Sequence, residues 1–213
     1  MITIVTIQRM ARRGTLEVEH LLRAAREGSS SLADELDAVA TAMGWSLTSS
    51  YPEVPWARWT QAIGIYCREG HAGLIAAAVD PIVLPFVVGL LEELKSPEAL
   101  QSLATIAISQ RDRLLDDTVL ASRVIAALNL AGGSAMELPL PERFAVRDFL
   151  HDALESVVTD QGRGVILCAL RYFGDDTSLP IIAACPPLPP HWESARVAAV
   201  RGIRKAARQR RTQ

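Results

Sequence analysis

Leu94-Lys-Ser-Pro-Glu-Ala-Leu-Gln-Ser-Leu103 and Phe173-Gly-Asp-Asp-Thr-Ser-Leu-Pro-Ile-Ile182 lie over one another at an offset of 79 residues. Leu94 falls on Phe173, Leu100 on Leu179 and Leu103 on Ile182. Each stretch ends one apolar segment, passes a short polar break and opens another with an early proline. An offset of 79 is close to two periods of about 40, the length of a two-helix repeat. The junction between them, near Leu138 to Glu142, is longer and aligns poorly.

The punctuation around these junctions is that of helices. Ser96-Pro97-Glu98 places a cap, a first-turn proline and an acid in order, and Leu140-Pro141-Glu142 repeats the last two. Gly174 closes one helix and Asp176-Thr177 opens the next. Apolar residues recur at helical spacing, as in Leu100, Leu103, Ile106 and in Val146, Phe149, Leu150, Leu154. From residue 74 onward the spacing predicts helices over 82–95, 97–110, 118–131, 141–157, 161–173, 176–185 and 190–208. Upstream it predicts helices over 3–13, 16–27, 32–43 and 56–68, with 45–55 as a loop. Ser31 and Asp34 resemble a capping box. The first segment is open to a strand reading, because Ile2, Ile4 and Ile7 are β-branched.

Length and composition fit this reading. A chain of 213 residues, 49% hydrophobic and 22% charged, can bury a sizeable core. The net charge of −2 is unevenly spread: seven basic residues and no acid lie from Arg196 onward. Removing those seven from the 22 basic residues leaves 15 against 24 acidic, so the body up to Ala195 carries about −9. Such a body disfavours nucleic acid as the main partner and suits a basic protein. Cys67, Cys168 and Cys185 form no CxxC pair, as expected of reduced thiols in a cytoplasmic protein. The N-terminus lacks the basic, then apolar pattern of a signal peptide. Residues 72–91 have the length of a membrane span with one charge. However, Asp80-Pro81 and Pro85 interrupt them, which predicts two core helices joined at Asp80 and no membrane.

Residues 169–182, with Ala195-Arg-Val-Ala-Ala-Val-Arg-Gly-Ile203, resemble a HEAT-like repeat: a helix ending in Gly-Asp, a second opening near Leu-Pro, then an Arg- and Ala-rich helix. The resemblance spans about the last 130 residues. It implies an all-α fold, a right-handed stack of antiparallel helical hairpins (an α-solenoid), used for protein binding. On this division residues 1–70 are N-terminal helices that can extend the same stack, and 71–213 hold the repeats and a basic tail.

Catalytic patterns are weak. Glu17/His20 and Asp148/His151 place a carboxylate and an imidazole at i, i+3, as di-iron bundles do, but the inward Glu residues that complete such a site are not found. Both pairs read as surface ion pairs, and His151-Asp152 lacks the partners of a phosphohydrolase His-Asp dyad. GxGxxG, GxxxxGK[ST], HExxH and GxSxG are missing. Gly162-Arg-Gly164 reads as a helix-entry turn that is able to meet an anion. No catalytic residue, metal site or cofactor is expected.

The expected function is therefore a non-catalytic, protein-binding module. Its small size, acidic body and lack of catalytic motifs resemble bacterial immunity proteins that neutralise a toxin domain. The alternative is an enzyme on a helical-repeat scaffold, of base-excision glycosylase or bilin-lyase type. Candidate partner-binding residues are Glu98, Glu137, Glu142, Asp175 and Asp176, expected along the turns within hairpins, together with Trp56 and Trp59. The two Trp share a helix face and suit a core anchor better.

Overall fold

The computed structural model describes residues 4–13, 15, 17, 20, 21, 23, 25, 31–44, 53–157 and 159–211. They form eleven α-helices, one 3-10 segment and no strand among the described residues. The chain divides into two compact units at Leu94/Lys95.

The first unit holds α1 (Ile4–Arg12), α2 (Ser31–Ala42), α3 (Glu53–Ala77) and α4 (Leu84–Leu94). Each packs on the next. The N-terminal segment is helical, so the strand alternative falls: Ile7 is buried on one side while Val5, Arg9 and Arg12 face out. In α2 the buried Leu32, Leu36 and Val39 follow the i, i+4, i+7 stripe. The expected helix over 16–27 lies largely outside the described residues, as do the Ser31 side chain, Trp45 and Tyr51.

Helix α3 breaks at Gly70, whose φ of 64° lies in the left-handed region that favours glycine. The division drawn at residue 70 thus falls where two helical stretches meet at the kink. The apolar run over 72–91 splits, as expected, into the end of α3 and the start of α4. Between them Asp80 turns the chain, its carboxylate accepting the Ile82 N–H at 2.8 Å. Trp59 of α3 meets Phe86 of α4 edge-on at 5.6 Å, and Gly89 leaves room for the indole.

The second unit holds α5 (Pro97–Ser109), α6 (Arg111–Asp116), α7 (Thr118–Ala131), a 3-10 segment (Gly132–Glu137), α8 (Leu140–Ser156), α9 (Asp160–Phe173), α10 (Ser178–Ala184) and α11 (Pro190–Arg211). Caps fix several starts. Ser96 accepts the Ala99 N–H, Asp117 those of Val119 and Leu120, and Thr159 that of Gly162. The short α6 and the 3-10 segment stand where the sequence predicted only connections. Thr118–Glu137 is the one described helical stretch apolar and long enough to cross a membrane, by length and composition only. It changes from α to 3-10 at Gly132, and the buried Leu120, Val124, Ile125 and Leu128 of α7 serve the core.

Helices pair α5 with α7, α8 with α9 and α10 with α11. Across pairs, α5 packs on α8, α7 on α9 and α9 on α11. Two polar bridges give the register on α8: Gln101 of α5 donates to Glu142, and Arg111, which opens α6, to Asp152, both 41 residues apart. The α5–α6 stretch and α8 therefore run parallel. α9 and α11 do too, since Gly164 sits under Trp192 near one end while Gly174 meets Ile203 near the other. This corrects the expected hairpin register. Residues 118–131 and 141–157, expected as partners, are separated by a 3-10 segment that packs on α5, α7 and α9.

Candidate functional site

Helix α8 carries two stripes. Val146, Phe149, Leu150, Ala153 and Leu154 are buried in the core. Beside them Leu140, Phe144, Arg147 and His151, spaced i, i+4, i+7, i+11, share a flank. The lower half of that flank is covered by the start of α10. Arg147 donates to Asp175, and its Nε and Nη2 reach Asp148 Oδ1 at 2.9 and 2.7 Å. His151 Nε2 lies 2.8 Å from Ser178 Oγ. The upper half stays open: Leu140 is 54% exposed and Phe144 lies at the surface with the Arg147 guanidinium 4.8 Å above its ring. Met136, 69% exposed, joins this patch through Arg143, whose Nη1 lies 2.9 Å from the thioether sulfur.

The polar half is closed on itself. Asp175 Oδ1 accepts the Thr177 N–H at 2.9 Å and its hydroxyl at 2.6 Å, and the Asp175 N–H reaches Ser178 Oγ at 3.2 Å. Burial pushes the Asp175 carboxyl up, but the Thr177 and Arg147 hydrogen bonds and the guanidinium charge outweigh it and hold it low. Burial likewise lowers Arg147, while the Asp148 and Asp175 carboxylates raise it further. His151 falls below its ordinary value, chiefly because burial disfavours the imidazolium and next because Arg147 repels it. A neutral ring accepts the Ser178 proton at Nε2, leaving the hydroxyl oxygen for the Asp175 N–H. All three groups are then satisfied.

A Ser–His contact is the kind that activates a nucleophile. Here Ser178 has 0% exposure, so no substrate atom reaches it, and the pair acts as a latch between α8 and α10. The expected surface ion pair of Asp148 with His151 is corrected: Asp148 pairs with Arg147, and His151 is buried because α10 caps it. At the other motif, His20 Nδ1 accepts the Glu17 N–H at 3.0 Å, a local turn contact. Among the described residues no group of three metal-ligating side chains occurs. Burial pushes the Cys67 and Cys168 thiols up, away from the reactive thiolate. Gly164 of the expected anion turn is a packing residue, because a Cβ there would lie 2.1 Å from Trp192.

The predicted acids fall into two groups. Glu142 is tied to Gln101 and Asp175 to Arg147. Glu98, Glu137 and Asp176 are exposed. Three separate contacts, Gln101 with Glu142, Arg143 with Met136 and Arg147 with Asp175, lie along the first half of α8. Trp56 and Trp59 lie in the first unit, half-buried, and Trp59 is occupied by Phe86 and Gly89. Met136, Leu140 and Phe144 escaped the sequence reading. The signal was present: Leu140 and Phe144 sit off the core stripe of their own helix.

Comparison of the chain with family models, curated proteins and solved structures finds no match.

Proposed function

We propose that this chain is a cytoplasmic protein-binding module whose partner is basic and docks on the open half of α8. The observation that carries the reading is the uncovered Met136, Leu140 and Phe144 beside Glu137, Glu142, Asp175 and Asp176. Apolar anchors with an acidic surround fit a cationic surface that offers an apolar side chain. The seven-residue α10 leaves the top of the α8 flank free, where a longer first helix would cover it.

A HEAT-like stack is the architecture that best supports this role. The 41-residue spacing of both bridges to α8, from Gln101 and from Arg111, matches the repeat length. The packing of first helix on first (α5 on α8) and second on second (α7 on α9, α9 on α11) is that of successive repeats. The narrower reading is a bacterial immunity protein that covers a basic toxin domain. Three free cysteines accord with a reducing compartment.

The test is capture from the native host at low salt, with wild type, Phe144→Ser and the pair Glu137→Lys, Asp176→Lys. Asp175 is left alone because it holds α10. Wild type should retain a basic protein that both variants lose, and charge reversal should slow association about tenfold. Equal capture by all three sinks the proposal. An adjacent gene encoding the captured protein would support the immunity reading.

A further inference from the structure

The sign of the charge reverses on α11. Its buried residues Ala195, Ala199 and Ile203 form one line facing α9. Val197, Arg201, Arg204, Lys205 and Arg208, at i, i+4, i+7, i+8 and i+11, are exposed on the opposite side. Arg201, Arg204, Lys205 and Arg208 line one open depression with Val197 and Val200. No ion pair ties Arg201, Arg204 or Lys205 among the described residues. The cation nearest the body is different: Arg196 donates to the Cys185 carbonyl at 2.9 Å and to that of Pro186, and pairs with Glu193. It holds the α10–α11 loop. No acid follows Glu193 in the sequence.

Among the described residues Ile203 is the last buried one of α11, and it packs beside Gly174, just past the end of α9. The helix runs eight residues further, to Arg211. At 1.5 Å per residue this is a rod of about 12 Å. Between its cations it carries the small Ala206 and Ala207, so it is slim.

We propose that this end of α11 docks on duplex nucleic acid, its arginines and lysine on the phosphates and the rod against a groove. Arginine forks match phosphate oxygens in pairs, and the major groove, about 12 Å wide, admits a helix. An anionic membrane fits less well, because the apolar face that would enter the lipid is spent on α9. The acidic body does not forbid the contact: at physiological salt, charges beyond about 8–10 Å are largely screened. The site is separate from the α8 patch and stands if the basic-partner reading fails.

The experiment is fluorescence anisotropy of the full chain with a labelled mixed-sequence duplex, as DNA and as RNA. Three phosphate contacts, from Arg201, Arg204 and Lys205, predict binding roughly fortyfold weaker at 200 mM than at 50 mM salt. Changing Arg201, Arg204, Lys205 and Arg208 together to Gln should remove binding while thermal unfolding stays unchanged. Lysine at the three arginine positions should retain most of it. Absence of duplex binding at 50 mM salt, or binding that the Gln variant keeps, overturns the proposal. So does binding to phosphatidylserine vesicles without binding to duplex, which would assign the stripe to a membrane surface. Sedimentation showing self-association through the same residues, with no duplex binding, would overturn it in favour of a second copy.

Discussion

The α5–α8 and α8–α10 contacts both set a helix on α8, but they are built from different material. Between the α5–α6 stretch and α8 the helices run side by side, and the Arg111–Asp152 bridge, made from α6, is peripheral: the two side chains are 43% and 36% exposed. Between α8 and α10 the polar groups are inside. The Arg147 and Asp175 side chains are each 15% exposed, and the His151–Ser178 contact is buried. The difference follows from length. α5 has 13 residues and packs through Leu100, Leu103 and Ile106, so apolar contact can set its register. α10 has seven residues and one buried apolar side chain, Ile182. A short helix with so little apolar area is placed by directional groups, and buried polar networks specify position well when every member is satisfied.

A change in the element that packs beside both contacts sets the upper scale. Leu170 of α9 is fully buried, and α9 packs on α7, α8 and α11. Leu170→Ala should cost about 2–5 kcal/mol in urea unfolding. Full retention of stability would mean that α9 does not hold the unit together.

The polar bridges should then separate. Arg147→Met leaves the Asp175 carboxylate largely desolvated and without its guanidinium, for about 2–3 kcal/mol. Adding Asp175→Asn should recover much of that loss. Arg111→Ala, at the exposed bridge, should cost under about 1 kcal/mol. Equal losses from the two arginine variants would erase the distinction between the contacts.

Much of the first contact was legible in the sequence, and little of the second. Ser96-Pro97-Glu98 announces α5, Gly174 ends α9 and Asp80 divides the apolar run, because caps and breakers act within one turn of themselves. The offset of 79 already hinted at the 41-residue spacing of the bridges to α8. His151 was misread because its burial depends on Ser178, 27 residues away. No local pattern in α8 reports where so short a helix begins. The same distance hid the patch: Leu140 and Phe144 are open only because α10 starts two turns below them. Asp175, and not Asp176, closes the turn into α10, a choice made by Arg147 across the fold.

The smallest effect is the most specific, because acid should loosen the α8–α10 contact in two separate steps. His151 is lowered from an ordinary value of 6.5 by burial and by Arg147, while Asp148, Asp175 and Glu155 oppose the shift. Above about pH 6.5 the ring is neutral in both folded and unfolded chains, and the latch is at full strength. As pH falls through that value the unfolded chain takes up the proton first, so stability declines until the folded group titrates too. Asp175 is lowered from 3.8, so its contribution persists above that value and is lost as pH falls below it toward the folded value. Urea midpoints measured from pH 8 to pH 3 should thus bend near 6.5 and again below 4. His151→Gln should remove the upper bend and keep the lower, and Asp175→Asn the reverse. Arg111→Ala should alter neither, since the Arg111–Asp152 bridge touches neither His151 nor Asp175. An upper bend that survives His151→Gln would place the titrating group elsewhere and leave the latch without a pH signature.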